Sequence, residues 1–297
     1  MRGIILAGDS GTGLHPITIG VCKPLLPVYD KPLIYYPLSL LMLADIREIL
    51  VIATPDDLPQ IRRLLGNGSR LGLELSYAAQ TGPGGIANAL RLGAAHIGDQ
   101  SVALVLGDTI CFGPGFSDVL RDAAAHVDGC TLFGYRVHRT GRHGVAEVDR
   151  SGRLVSLEER PVPLGSTCAL TGLYFYGNDV VAHARELPPS PRGELEITDL
   201  NRIYLDQGRI GLVRLGRGFA WLDTGTHSAL IEAGRYIEIL EQRQGVRVAC
   251  VEEIALRMGF ITAEQCHRLG VELGKSAYGE YVVSIAAPAE AALDPVR

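Results

Sequence analysis

Residues 3–13 read GIILAGDSGTG, in which a short apolar run, residues 3–7, passes directly into a glycine-rich loop, residues 8–13. A short run of Ile and Leu that ends in glycine is typical of a strand buried on both faces. Glycines after such a strand let backbone N–H groups turn toward a phosphate without interference from a Cβ atom. The stretch therefore predicts a first β-strand with a phosphate loop at its carboxyl end. An ordinary tight turn is the alternative.

Similar apolar runs recur through the first half of the chain and alternate with segments of helical length. The further strand-like runs are 48–54, 73–78 and 102–106. The helix-like segments between them are 33–44, 57–65, 85–96 and 116–126. Strands that alternate with helices form βαβ units around a parallel sheet. The sequence thus predicts an α/β fold with a Rossmann-like, mostly parallel central sheet covered by helices on both faces.

The second half of the chain changes character. Strand-like runs separated by turn-forming residues cover 130–137, 144–149, 153–158 and 168–176, and they predict antiparallel strands added to the sheet. A helix over 197–207 and a strand over 209–215 follow, and the later predicted helices are 227–244, 250–258, 262–273 and 278–285. We expect two regions, an α/β core over 1–226 and a helical C-terminal region over 227–297 that serves oligomerisation or regulation.

Composition narrows the classes of function. The 297 residues carry 28 basic and 33 acidic side chains, a formal net charge of −5, which argues against a nucleic-acid binder with a broad basic face. The six cysteines form no C-x-x-C pair and no zinc-finger pattern, so they predict small buried residues in a reducing compartment. The apolar runs fall short of the roughly 18 residues that a membrane span needs, and no signal peptide is evident. We expect a cytoplasmic protein without nucleic-acid or membrane partners, which must bind any phosphate at a local site.

Two aspartates follow apolar segments at points where open α/β sheets bind their ligands. Asp108 comes just after the run 102–106, and Asp223 lies in WLDTGT, between an apolar segment and a helix start. Taken singly, Asp108 is also a common turn former and Asp223 an ordinary helix N-cap. Together, beside a glycine-rich loop, they predict a Mg²⁺–polyphosphate site, because Mg²⁺ typically takes one or two carboxylates plus phosphate oxygens.

Three basic side chains are candidates to neutralise such phosphates. Lys23 follows the glycine-rich loop within one short segment, so its ammonium could reach a phosphate bound there. Arg160, in EERP, and Arg192, in PRGE, are further candidates. The alternative for each is a solvated surface charge, which is the usual environment of Lys and Arg.

Long stretches spread over nearly the whole chain carry a resemblance to a known family. They are GIILAGDSGTGLHPIT (3–18), KPLLPVYDKPLIYYPLSLLMLADIREILVI (23–52), LVLGDTI (104–110), VSLEERP (155–161), TGLYFY (171–176), RGELEITDLN (192–201), GRGFAWLDTGTH (216–227) and VACVEEIALRMGF (248–260). On these stretches the chain resembles the glucose-1-phosphate thymidylyltransferases, which are sugar nucleotidyltransferases of the large α/β type. The resemblance implies condensation of dTTP with α-D-glucose 1-phosphate to dTDP-glucose and pyrophosphate, with Mg²⁺ as cofactor and a homotetramer as the assembly. It also implies that residues 1–226 are the nucleotide- and sugar-binding core.

The resemblance further implies a role for each candidate residue. The loop residues Gly8, Gly11 and Thr12 would cradle the triphosphate, with Lys23 and Arg160 as the catalytic cations. The other candidates are nucleotide-binding Gln80, Gly85 and Asp108, metal-binding Asp108 and Asp223, and sugar-binding His143, Gly144, Glu159, Leu170, Tyr174 and Arg192. In-line attack of the sugar phosphate on the α-phosphorus needs positioning and charge neutralisation more than covalent help.

The chain departs from the family pattern within this group of residues. The family loop reads GGxGTRL, whereas here Asp9 stands for the second glycine and Gly13 for the arginine. The missing arginine would weaken the hold on the leaving pyrophosphate, and the added carboxylate would repel phosphates. Residues 81–85, TGPGG, replace the charged family segment EKPEG, and Arg160 replaces a lysine. These changes keep alternative functions open.

The main hypothesis is an active nucleotidyltransferase, because both aspartates and Lys23 are retained. The first alternative is a divergent homologue that binds a nucleotide or nucleotide sugar without nucleotidyl transfer, because its phosphate loop has changed. The second alternative is a different reaction on such a ligand in specialised metabolism. His15 and His143, which stand where the family has tyrosines, would then be acid–base groups.

Overall fold

The structure, a computed structural model, describes residues 1–9, 11–82, 84–137, 143–159 and 168–287. Within these residues the strands are β1 (Arg2–Leu6), β2 (Pro27–Val28), β3 (Lys31–Pro32), β4 (Glu48–Ala53), β5 (Glu74–Ala79), β6 (Val102–Leu106), β7 (Ile110–Phe112), β8 (Cys130–Arg136), β9 (Val145–Val148), β10 (Leu154–Glu158), β11 (Cys168–Tyr176), β12 (Ile210–Leu215) and β13 (Ala220–Leu222). The α-helices are α1 (Ile17–Gly20), α2 (Tyr35–Leu43), α3 (Leu58–Leu65), α4 (Asn88–Leu92), α5 (Ala94–Ile97), α6 (Phe116–Ala125), α7 (Val180–Glu186), α8 (Ile197–Asp206), α9 (His227–Gln244), α10 (Val251–Arg257), α11 (Ala263–Glu272) and α12 (Ala277–Ile285).

A central sheet of nine strands organises these elements. Strands β5, β4, β1 and β6 lie side by side and run parallel, and β11 joins β6 in the antiparallel direction. Strands β9 and β10, and strands β8 and β12, extend the sheet beyond β11. Leu6 at the end of β1 lies opposite both Ile52 of β4 and Leu106 of β6, so the loops after these strands leave the sheet at one level. Ligands of open α/β sheets bind at this edge.

The central strands β1, β4 and β6 bury both of their faces, as the unbroken apolar runs predict. In β1, Ile4 belongs to one apolar cluster and Ile5 to another, because neighbouring strand residues point to opposite faces. Residues of α2, α3 and α6 pack in the cluster of Ile5, and residues of α4, α5, α7 and α8 pack in the cluster of Ile4. The predicted α/β fold, with helices on both faces and added antiparallel strands, is confirmed.

Some local predictions differ from the structure. The helix predicted over 85–96 begins at Asn88 and is divided at Gly93 into α4 and α5. A Cβ atom on Gly93 would lie 2.6 Å from Cδ1 of Ile4, so this part of the chain packs directly against β1. The short strands β2, β3, β7 and β13 and helix α7 are present without having been predicted.

Strand β11 changes its partner midway, and this change shapes the site. Cys168 and Ala169 pair with β9, whereas the last four residues of the strand pair with β6. Between them Gly172 has φ +83°, and a Cβ atom there would lie 2.9 Å from Cδ1 of Leu106 and 2.9 Å from Oγ1 of Thr109. Glycine therefore lets β11 approach the end of β6, where the loop containing Asp108 begins.

The C-terminal helices pack onto the first part of the chain. Val251 and Ala255 of α10 belong to the same apolar cluster as Leu41 of α2. Helix α11 begins with a capping box, in which Thr262 and Gln265 satisfy each other's backbone N–H groups. The boundary at residue 226 stays a prediction. None of the helices among the described residues combines the length and apolar character that a membrane crossing requires.

Candidate active site

A cleft formed by two adjoining cavities lies at the carboxyl edge of the sheet. The first cavity measures about 450 Å³ and the second about 670 Å³. Seven residues border both cavities, and four of them are charged: Asp9, Lys23, Asp108 and Glu159. Volumes of this order suit a small-molecule ligand. Charged side chains where the two cavities adjoin favour a ligand that spans both cavities and carries ionised groups in its middle part.

The side chain of Lys23 is fixed at this junction. Its Nζ donates to Oδ2 of Asp9 at 2.9 Å and to a carboxylate oxygen of Asp108. Lys23 is 5 % exposed, and burial by itself would lower its pKa. The charges and hydrogen bonds of Asp108 and Asp9 outweigh burial, so the pKa of Lys23 lies above its ordinary value. Lys23 is therefore a charged ammonium at neutral pH.

The glycine-rich loop after β1 forms one wall of the cleft. Gly11 has φ +62°, and a Cβ atom there would lie 2.9 Å from Cγ2 of Thr18, so conformation and space both favour glycine. Thr18 Oγ1 donates to the Gly11 carbonyl oxygen at 2.7 Å, and the Gly11 N–H donates to Oδ1 of Asp9 at 3.0 Å. Of the predicted loop residues, Gly11 and Thr12 line the first cavity and Gly8 lines the second.

Asp108 and Asp223 lie on the same side of the molecule. Both line the first cavity, and their loops are joined where Thr224 Oγ1 donates to the carbonyl oxygen of Asp108 at 3.4 Å. Oδ1 of Asp223 accepts from the N–H of Gly225 at 2.9 Å. The two carboxylates supply hard oxygen donors that Mg²⁺ accepts together with phosphate oxygens. Because the described part of the chain has no group of three His, Cys, Asp or Glu side chains suited to a metal, oxygens of water or of a ligand would complete the coordination.

The second cavity brings together Gln80, Gly85 and Arg192. Gln80 is 9 % exposed, and its Oε1 has no hydrogen-bond partner among the residues that the structure describes. Gly85 has φ +76°, and a Cβ atom there would lie 2.6 Å from the nitrogen of Leu195 and closer still to its carbonyl oxygen. The loop 84–87 can therefore pack against the Leu195 backbone. The amide oxygen of Gln80 remains without a partner among the described residues at the edge of this second cavity.

Most of the predicted sugar-binding residues line the first cavity. His143, Gly144, Glu159, Leu170 and Tyr174 are all found there. The Gly144 carbonyl oxygen accepts from the N–H of Leu170 at 2.9 Å. Burial, with the charge of Glu159, raises the pKa of Tyr174, so its hydroxyl stays protonated and can donate to a ligand.

Arg192 lies apart from that group and borders the second cavity, on the side of Gln80. Its Nη2 donates to Oε1 of Glu196 at 2.8 Å and lies 3.7 Å from Oε2 of Glu194. The hydrogen bond to Glu196 raises the pKa of Arg192. Of the residues predicted with it, Arg192 thus shares the second cavity with Glu159, and it does not line the first cavity with the others. Arg160 lies outside the described residues, so its predicted role is untested.

Sequence reasoning missed several residues of the cleft. Trp221 and Thr171 line the first cavity, and Trp221 Nε1 donates to the Thr171 carbonyl oxygen at 3.2 Å. The His143 ring meets Trp221 edge to face at 4.6 Å. Thr198 Oγ1 donates to a carboxylate oxygen of Glu159. Trp221 and Thr171 belong to WLDTGT and TGLYFY, so the motifs themselves were the available signal.

The chain is similar to known proteins over almost its whole length. The family model described as nucleotidyl transferase matches residues 2–239. A protein of Neisseria meningitidis serogroup A, named glucose-1-phosphate thymidylyltransferase, is 52 % identical over 285 residues, which cover 96 % of this chain and 99 % of that protein. A protein of the same name from Mycolicibacterium smegmatis is 54 % identical with the same coverage of each chain.

Solved structures share the fold. One from Bacillus anthracis, assigned as a glucose-1-phosphate thymidylyltransferase and solved in complex with a sucrose, is 35 % identical with a TM-score of 0.74. The match covers 80 % of this chain and 94 % of that one.

Proposed function

The chain belongs to the nucleotidyl transferase family, and on this premise we propose that it condenses dTTP with glucose 1-phosphate to give dTDP-glucose and pyrophosphate. The observation that carries the proposal is the meeting of two cavities at Lys23, beside the glycine-rich loop, Asp108 and Asp223. A cleft with a fixed cation and carboxylates of the kind that hold Mg²⁺ suits transfer of a nucleotidyl group between phosphates.

In the proposed reaction an oxygen of the sugar phosphate attacks the α-phosphorus of dTTP. A new P–O bond joins the sugar phosphate to the thymidylyl group, and the bond from the α-phosphorus to the oxygen bridging the β-phosphorus breaks. The electron pair of that bond leaves with pyrophosphate, so the step requires no proton transfer by a side chain. The protein therefore has to align the reacting groups and balance their negative charge.

We assign Lys23 to that charge balance. Its pKa above the ordinary value keeps it cationic around neutral pH, and its burial strengthens its interaction with a phosphate. Asp108 and Asp223 would hold Mg²⁺, which supplies neutralisation of phosphate charge when it is bound. Arg160 is assigned as a second cation on the resemblance alone.

We assign the second cavity to the thymine base. The amide of Gln80 can donate to a ring carbonyl or accept from a ring N–H, and its Oε1 lacks a partner among the described residues. Gly85 supports this assignment because it lines the second cavity and its lack of a Cβ atom lets its loop lie against the backbone of Leu195.

We assign the first cavity to the glucose moiety. Glu159 can accept hydrogen bonds from sugar hydroxyls, and the bond from Thr198 orients its carboxylate. Tyr174 contributes a protonated hydroxyl, and Gly144, Leu170 and His143 shape the wall. The role of Arg192 in sugar binding stays a prediction, as do the homotetramer and the cytoplasmic location.

Release of pyrophosphate tests the proposal. The protein is incubated with dTTP, glucose 1-phosphate and Mg²⁺, and pyrophosphate is measured with a coupled phosphatase assay. We expect release that depends on both substrates and that chelation of the metal abolishes. Asp223→Asn should lower the rate, whereas Asp118→Asn, a change at an exposed helix position paired with Arg121, should leave it unchanged. Absence of release with any of several nucleoside triphosphates and sugar phosphates would contradict the proposal.

A further inference from the structure

The carboxylate of Asp9 holds two of the donors that a phosphate loop offers to its ligand. Oδ2 of Asp9 accepts from the ammonium of Lys23 at 2.9 Å, and Oδ1 accepts from the backbone N–H of Gly11 at 3.0 Å. A buried ammonium and a loop N–H are the groups that bind phosphate oxygens at glycine-rich loops. The two oxygens of Asp9 therefore stand where two oxygens of a phosphate group would be expected.

The positive charge of Lys23 has a second carboxylate partner besides Asp9. Asp108 also accepts a hydrogen bond from the Lys23 ammonium, so two carboxylates share this one cation. The Asp9 side chain is 60 % exposed, whereas that of Asp108 is 28 % exposed. The Lys23 ammonium is buried, but solvent reaches the Asp9 carboxylate more than that of Asp108, so water can take the place of the ammonium more readily at Asp9.

We propose that Asp9 is an internal competitor for phosphate: its carboxylate and a phosphate group bind the same donors, and a polyphosphate binds by displacing the carboxylate. Asp9 thus sets the affinity of the cleft for polyphosphate, and with it the concentration of nucleoside triphosphate at which the enzyme works. The effect of Asp9 on catalysis rests on the proposed function, because it requires that the protein uses a nucleoside triphosphate. The competition itself concerns binding and can be measured without turnover.

The experiment is calorimetric titration of the protein with inorganic pyrophosphate, without divalent metal. Asp9→Asn removes the charge but keeps a carbonyl oxygen that can accept from the Gly11 N–H, so loop shape and charge are separated. Asp9→Gly removes both the charge and the side-chain oxygen that accepts from the Gly11 N–H. We expect both variants to bind pyrophosphate at least about tenfold more tightly than the wild type, the effect of one charge-assisted contact. The matched control Asp118→Asn makes the same change of net charge at a remote exposed site and should stay within about twofold.

Thymidine, which has no phosphate, is the second probe. Its affinity should not change in Asp9→Asn or Asp9→Gly, which would show that the cleft is intact and that the effect is confined to phosphate. Equal or weaker binding of pyrophosphate by Asp9→Asn would overturn the inference. So would absence of detectable pyrophosphate binding by both variants. An Asp9 that merely shapes the loop would give weaker binding in Asp9→Gly and unchanged binding in Asp9→Asn.

The two proposals can fail separately. If the wild type makes no dTDP-glucose but the Asp9 variants bind pyrophosphate more tightly, the competition is supported and the proposed reaction is lost. If the wild type turns over but pyrophosphate affinity does not rise in Asp9→Asn, the reaction is supported and the competition is overturned.

Discussion

Replacing Lys23 with methionine keeps the length of the side chain and removes its charge at the point where the two cavities meet. The remaining carboxylates of Asp9 and Asp108 then face each other and the phosphates of the ligand without the ammonium that now bridges them. This change tests whether Lys23 acts on the ligand or merely stabilises the fold, because the two roles predict losses of very different size.

The burial of the Lys23 ion pairs sets the expected loss of folding stability, and the position of Lys23 in the cleft sets the expected loss of kcat. Breaking a fully buried ion pair costs about 3–5 kcal/mol. Here the Asp108 side chain is 28 % exposed and that of Asp9 60 %, so solvent screens much of the uncompensated charge. We expect the free energy of unfolding to fall by about 1–2 kcal/mol. Removal of a preorganised donor from a developing phosphate charge should lower kcat by about 100- to 1,000-fold.

Two assays on the same protein separate these effects. Urea denaturation gives the free energy of unfolding, and initial rates of pyrophosphate release give kcat and KM for dTTP. Lys23→Arg is the control, since it keeps the charge but replaces the compact ammonium by a planar guanidinium, and we expect an intermediate rate. A Lys23→Met variant with kcat/KM within about threefold of the wild type would refute the assigned role.

Three further predictions concern other parts of the molecule. Gly85→Ala should lower the free energy of unfolding by about 1–3 kcal/mol, because φ is +76° and the new Cβ would lie 2.6 Å from the nitrogen of Leu195; an unchanged urea midpoint would contradict this. Gln80→Leu should raise KM for dTTP about tenfold with little change in kcat, and equal KM values in steady-state kinetics would exclude Gln80 from base binding. Burial raises the pKa of Glu252 above its ordinary value of 4.5, despite a hydrogen bond from Tyr278, so its contribution to stability is present below pH 4.5 and is lost as pH rises through the folded-state pKa. The stability of Glu252→Gln, followed by urea denaturation from pH 4.5 upward, should therefore decline less than that of the wild type, and parallel curves would contradict the assignment.

The location of the cleft follows from the sequence because strand ends in a parallel sheet share one edge. The apolar runs that become β1 and β6 are followed by the glycine-rich loop and by Asp108, and the pairing of Leu6 with Leu106 brings both to one level. Asp223 could be predicted in the same way, because the motif WLDTGT places it between an apolar segment and the start of α9.

Contacts that depend on loop conformation could not be predicted in this way. The pairing of Asp9 with Lys23 requires the chain to fold back between residues 11 and 22. A hydrogen bond from Thr18 Oγ1 to the Gly11 carbonyl oxygen stabilises this turn. Arg192 turns toward Glu196 in its own loop and lines the second cavity. Spacing along a sequence fixes neither the direction of a loop nor the partner of its charges.

The division of the predicted helix at Gly93 has a different cause. Its sequence has helical length, and the interruption comes from close packing on Ile4 of β1, a tertiary contact that local pattern does not contain.

Identification of both products decides whether the protein transfers a thymidylyl group to glucose 1-phosphate. The wild type is incubated with dTTP, glucose 1-phosphate and Mg²⁺, and the mixture is separated by anion-exchange chromatography with mass detection. We expect dTDP-glucose and pyrophosphate in equal amounts, with neither formed when one substrate is left out. Pyrophosphate formed with dTMP in place of dTDP-glucose, or dTTP recovered unchanged, would contradict it.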